Sequence, residues 1–161
     1  MSGKWVVNAS PIILLAKAGA IDLLSQLPQE LVVPASVATE LRRGPSADPA
    51  RTWLEGPGRQ FVRPDLAVAT EIAAWDLGMG ETAVLNWAYQ QREFEALVDD
   101  RAARKCGQIF GLKVRGTLGV VLAGKVRGLT PSARPVCEAL IRSGLHIDPH
   151  FVTEALRLVG E

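Results

Sequence analysis

Short apolar runs alternate with helically spaced ones along most of the chain. Trp5-Val6-Val7 reads as a buried strand ending at Asn8, and Ser10-Pro11 opens a helix that carries Ile12, Ile13, Leu15, Ala16 and Ala18 as far as Gly19. Residues 21–27 form a second short helix stopped by Pro28. Leu31-Val32-Val33 is a second strand, followed by a helix bearing Val37 and Leu41 that Gly44-Pro45 ends. Asp48-Pro49 suits the cap and first turn of a helix through Leu54, and Gly56-Pro57-Gly58 is a loop before a strand at Phe61-Val62. Residues 66–77 read as helical. Gly78-Met79-Gly80 breaks the chain before a helix over residues 81–91, with Val84, Leu85 and Ala88 inward. Ala96-Leu97-Val98 is a strand ending in Asp99-Asp100, and the amphipathic helix after it turns Ala102, Ala103, Cys106, Ile109 and Phe110 to one side. Lys113-Val114-Arg115 is a brief strand leading through Gly116-Thr117 into a helix that ends near Gly128. Two more helices follow, around residues 132–142 and 150–159.

Strands alternating with helices in this way predict an α/β sandwich with a mainly parallel central sheet flanked by helices. Residues 1–161 are expected to form one domain, with the C-terminal helices from about residue 131 packed on it. Open parallel sheets bind ligands beyond the carboxyl ends of their strands. Asn8, Asp99-Asp100 and Thr117 each follow a strand and so fall at one sheet edge. Glu40 and Glu81, on helices, can turn toward it.

Clustered carboxylates repel one another unless a cation sits among them. Hard divalent ions such as Mg2+ or Mn2+ take oxygen ligands and suit phosphodiester hydrolysis. Each acid also has a plainer role. Asp99 or Asp100 can cap the helix that follows, Glu81 lies in a first helical turn, and Glu40 can pair with Arg42 or Arg43 on a solvated face.

Composition narrows the field. The 161 residues carry 18 Lys+Arg against 17 Asp+Glu, a net charge of +1, and 48% are hydrophobic. Such a chain has ample apolar material to fold, and lacks the excess charge of a protein that coats DNA. Cys106 and Cys137 form no CxxC pair, which excludes a disulfide scaffold or a zinc knuckle. No export signal and no apolar run of membrane-spanning length is visible, so the expectation is a soluble cytoplasmic protein with no membrane partner. The small total charge hides a division. Residues 64–100 hold eight acids and one base, and residues 101–137 hold eight bases and no acid.

Five segments occur in a telling order: Val6-Val7-Asn8-Ala9-Ser10-Pro11-Ile12-Ile13, Thr39-Glu40-Leu41, Gly78-Met79-Gly80-Glu81-Thr82-Ala83, Val98-Asp99-Asp100-Arg101-Ala102-Ala103-Arg104 and Gly116-Thr117-Leu118-Gly119. The set resembles the PIN domains, the metal-dependent nuclease fold that supplies the toxins of VapBC-type toxin–antitoxin pairs. It is similar in particular to a prokaryotic branch with a DDRAAR…GTLG signature. The resemblance runs from Trp5 to the C-terminus. It implies an acidic site for Mg2+ or Mn2+, cleavage of RNA, a small antitoxin partner and a homodimer. By the same resemblance Glu40, Glu81 and Asp100 match the second, third and fourth acids, with Asp99 as the alternative to Asp100. Ser10 matches a hydroxyl supporting the first-strand acid, and Thr117 a late polar position that helps hold the metal. The first acid is replaced by Asn8, which can ligate a hard cation but brings no charge. Weakened catalysis, or a module that binds nucleic acid or protein without cutting, is the alternative that this substitution raises.

The basic run supplies candidate phosphate contacts in Arg101, Arg104, Lys105, Lys113 and Arg115, beside Ser10. Its one aromatic residue, Phe110, is expected in the core. His146 and His150 are read as surface or capping residues because Pro149 intervenes, and Trp75 and Trp87 as core or dimer packing. A nucleotide-binding fold of another kind is disfavoured, since no GxxxxGK[ST] and no GxGxxG after a strand is present.

Overall fold

Trp5, Val6 and Val7 are fully buried, as a strand with helices on both faces of its sheet must be. They belong to β1 (Ser2–Val7) in a computed structural model that describes residues 2–161. From β1 the chain passes through α1 (Ala9–Lys17) and α2 (Leu23–Gln26) to β2 (Pro28–Pro34), and then through α3 (Ala35–Arg42), α4 (Pro49–Glu55) and a 3-10 turn (Pro57–Phe61) to β3 (Val62–Arg63). A short α5 (Thr70–Ala73) and a longer α6 (Met79–Gln90) lead to β4 (Phe94–Leu97). Next come α7 (Arg101–Ile109), β5 (Val114–Arg115) and the C-terminal α8 (Thr117–Val126), α9 (Ala133–Arg142) and α10 (Pro149–Leu158).

The five strands are all parallel, in the order β3-β2-β1-β4-β5. β1 therefore sits where the chain reverses its direction of travel across the sheet, the position at which open α/β sheets form a crevice. Register aligns the strand ends. Val7 pairs with Leu97, and Leu97 with Arg115. The ladder runs one residue further, with the Asn8 N–H donating to the Leu97 carbonyl (3.1 Å) and Val98 N–H to that of Arg115 (3.0 Å). Whatever follows these strands is delivered to one edge.

The helix expected over residues 66–77 is mostly absent. Only α5 forms, and the preceding segment is held extended by Asn86, a fully buried residue of α6. Its Oδ1 accepts from Ala69 N–H (3.0 Å), and its Nδ2 donates to the carbonyls of Leu66 (3.3 Å) and Ala67 (3.1 Å). Asp65 is held too, accepting from the N–H and hydroxyl of Ser36 in the first turn of α3. These bonds consume the backbone groups a helix would have used. Smaller shifts occur elsewhere. Phe61 closes the 3-10 turn, leaving β3 to Val62–Arg63, and α6 begins at Met79 rather than after Gly80.

Trp87 is buried and meets Phe94 edge to face at 6.2 Å. Trp75 and Tyr89 do the same with Phe110, at 6.4 and 5.4 Å, so Phe110 packs against the core. α9 lies against α1 and α8, and α10 against α9. Glu161 caps α9, its carboxylate accepting from Ser132 Oγ, from Ala133 N–H and from Arg134 N–H, with Lys125 Nζ 3.5 Å away. Among the described residues, no helix is long and apolar enough to cross a membrane.

Candidate active site

Asn8 occupies the N-cap position of α1, yet its side chain caps nothing. It is 5% exposed, and its Oδ1 has no hydrogen-bond partner. A buried carbonyl oxygen left unpaired costs about 1–3 kcal/mol, so such atoms ask for an explanation. Gly80, buried in the first turn of α6, supplies the setting. A methyl added there would lie 3.1 Å from Asn8 Oδ1 and 3.4 Å from Glu40 Oε2. The end of β1, the side of α3 and the start of α6 thus approach one another at a point that only a residue without a side chain leaves open.

Glu81 sits one residue further along α6. Its Oε2 accepts from Gly78 N–H (3.2 Å), closing the helix start as a first-turn glutamate does. Burial pushes its carboxyl above the usual range, and the neighbouring Asp100 carboxylate pushes the same way. The Gly78 N–H pulls against them, while Glu40 adds a further upward push. Glu81 therefore feels the charge of both other acids expected to cooperate with it.

Asp99 and Asp100 divide two roles. Asp100 is exposed and caps α7, its Oδ2 accepting from Ala103 N–H (3.0 Å). Asp99 is tied on three sides, by Thr117 N–H (2.8 Å), Thr117 Oγ1 (2.6 Å) and Ser10 Oγ (3.2 Å). Thr117 is fully buried and its hydroxyl is spent on Asp99, so it positions that carboxylate. Ser10 likewise serves Asp99 rather than the residue ending β1.

Asn8, Ser10, Glu81, Asp99, Asp100 and Arg101 line a groove of about 570 Å³, whose far wall is Gly144-Leu145-His146. Arg101 is an exposed cation at its rim, and Arg104 is half-buried nearby. Arg115 is differently engaged: it pairs with Glu95 (3.0 Å), donates to the Gly119 carbonyl and lies over the Trp5 ring. Lys105 and Lys113 are exposed and line neither this groove nor the pocket adjoining it. His146 was not legible as a site residue, because nothing near it in sequence belongs to the sheet edge.

A family model described as a PIN domain matches residues 4–161. The chain belongs to the PIN-domain family. PIN domains are generally nucleases, typically use divalent metals and generally bind nucleic acids. No curated protein and no solved structure gave a match.

Asn8, Glu40, Glu81, Asp99 and Asp100 offer oxygen donors at this edge of the PIN domain, and His146 adds an imidazole in the groove wall. Among the described residues, no three His, Cys, Asp or Glu side chains are arranged so that they could hold a metal ion. Three buried side-chain polar atoms among those residues lack a partner, Trp5 Nε1, Trp87 Nε1 and Asn8 Oδ1. The Asn8 oxygen, near Glu40 Oε2 at the Gly80 opening, is the one of them a hard cation can take. In donor type the residues fit such an ion.

Proposed function

We propose that this PIN domain is a divalent-metal-dependent endoribonuclease, with Mg2+ or Mn2+ as cofactor. Asn8 and Glu40 would hold the ion at the Gly80 opening. Glu81 and Asp100, which do not converge there in this structure, would have to draw in to complete its ligands, with Asp99 beside them, oriented by Thr117 and Ser10. The observation that carries this reading is the unpartnered, buried Asn8 Oδ1 facing the Gly80 opening at the sheet's switch point. When bound, a divalent cation supplies Lewis-acid charge for phosphodiester hydrolysis. Arg101 and Arg104 would contact phosphates on either side, giving affinity that falls with salt. The role of toxin in a cytoplasmic toxin–antitoxin pair, the antitoxin partner and the homodimer are proposed on the resemblance to VapBC-type toxins.

A second reading rests on the same residue. Asn8 brings no charge where the family's acid stands, which favours a domain that binds nucleic acid or protein without cutting. One experiment separates the two: RNA cleavage and thermal melting, each with and without Mn2+ or Mg2+. Cleavage that needs metal and is lost in Glu81→Gln and Asp100→Asn supports the nuclease. A wild type that neither cuts nor gains melting temperature with either metal, beside an Asn8→Asp variant that gains both, supports the binding module.

A further inference from the structure

The acidic groove does not end at Asp99. A second depression, about 420 Å³, adjoins it and shares Asp99, Leu145 and His146 as common wall. Its size lies within the range of small-molecule sites. Its lining joins six apolar side chains, Val114, Leu118, Leu122, Leu145, Ile147 and Phe151, to the polar ones of Asp99, Arg104, Arg115 and His146. Arg104 is one of its liners, and its Nη1 donates to the Val98 carbonyl (3.2 Å). The guanidinium reaches there because residue 116 is glycine: a methyl on Gly116 would come within 3.0 Å of Nη1.

We propose that this pocket seats a nucleobase of the RNA strand, the one carried by the nucleotide next to the phosphate being cut. The inference rests on the nuclease reading above and extends it to the substrate. A nucleotide joins a flat, largely apolar ring to an anion within one residue's reach. The protein places an apolar hollow, a guanidinium and the acidic groove in the same sequence. Phe151 lines the pocket and is 59% exposed, so its ring is available for a base to stack on. The six apolar side chains hold a base by stacking and size, while Arg104, Arg115 and His146 in the same lining can offer hydrogen bonds to its edges. A protein segment is the other possible occupant. The Arg104 and Arg115 guanidinium groups in the lining and the wall shared with the acidic groove favour the nucleotide. The inference also gives the link between α9 and α10, which carries none of the acids, a part in substrate binding.

The test is fluorescence anisotropy of the full chain with a labelled single-stranded RNA octamer, and with matched octamers carrying one abasic nucleotide at successive positions. An abasic nucleotide at one position is expected to weaken binding roughly five- to hundredfold, the span carried by one stacked base, while other positions change little. Phe151→Ala is expected to weaken the intact octamer comparably and to show little further loss with the sensitive abasic one. Leu122→Trp, which fills the hollow, should behave the same way. Should its melting temperature show misfolding, the abasic series on wild type decides by itself. Binding that is indifferent to every abasic position and to Phe151→Ala overturns the pocket, even where metal-dependent cleavage persists. Base-dependent binding without metal-dependent cleavage supports the pocket and defeats the nuclease. A chain that binds no RNA but loses a peptide ligand on Phe151→Ala overturns it in favour of a protein occupant.

Discussion

Asp99 receives both hydrogens that Thr117 can offer it, the backbone N–H at 2.8 Å and the hydroxyl at 2.6 Å. The chain just beyond β4 is thereby fastened to the first turn of α8 across the sheet edge. Thr117 is fully buried, while the half-buried Asp99 faces the groove. Thr117→Val keeps the shape and removes one donor from the Asp99 carboxylate. Stability is expected to fall by about 1.5–3 kcal/mol in urea titration, with most of it regained in Thr117→Ser. Equal midpoints for Thr117→Val and wild type would show that Asp99 does not depend on this bond.

Glu81 should trade stability against activity. Its carboxyl is raised above 4.5, first by burial and then by the Asp100 carboxylate. The folded protein therefore holds more protons there than the unfolded chain, and stability declines as pH rises from about 4.5 through the raised value. Glu81→Gln removes that penalty. Without metal, the variant is expected to melt above wild type at pH 7, with the gap closing toward pH 4, while losing RNA cleavage. A variant less stable than wild type at pH 7 would contradict the repulsion.

Glu161 acts with the opposite sign. Bonds from Ser132, then from the Ala133 N–H, hold its carboxyl down at about 2. Its contribution is complete above the ordinary 4.5 and is lost as pH falls toward 2. Glu161→Gln should flatten that part of the acid limb in a melting-temperature profile and leave the curve above pH 6 parallel to wild type. An unchanged acid limb would remove Glu161 as the cap of α9.

Asn86→Ala leaves the Ala69 N–H and the Leu66 carbonyl without a partner, while the Ala67 carbonyl keeps Gln90 Nε2. The expected loss is at least about 2 kcal/mol. Hydrogen exchange at the Ala69 amide should quicken well before the sheet's amides do.

Much of the sheet was legible, because strands such as Trp5-Val6-Val7 are buried on both faces and read as unbroken apolar runs. Their following residues were then placed by topology, which is why Asn8, Asp99, Asp100 and Thr117 could be assigned to one edge. The 66–77 segment misled because its helical spacing is real, while the residue overriding it, Asn86, sits amid an apolar stretch and acts on backbone atoms 17 to 20 positions away. Leu145, His146 and Phe151 gave no signal for a similar reason. They meet β5 and α8 only through the packing of α9 and α10. The sequence division between acids and bases is partly spent in the fold: Arg115 goes to Glu95, Asp65 to Ser36 and Glu71 to Tyr89. What remains at the edge is Glu81, Asp99 and Asp100 beside Arg101 and Arg104.

Gly80 allows the centre to be shut with a single carbon. A helix residue without a side chain forgoes up to about 1 kcal/mol relative to alanine, and this one lies where that carbon would crowd Asn8 Oδ1 at 3.1 Å. Gly80→Ala would leave every charge on the protein in place, its groove and apolar pocket included. RNA affinity should persist while metal-dependent cleavage falls, giving a substrate trap obtained by steric occlusion instead of by neutralising an acid.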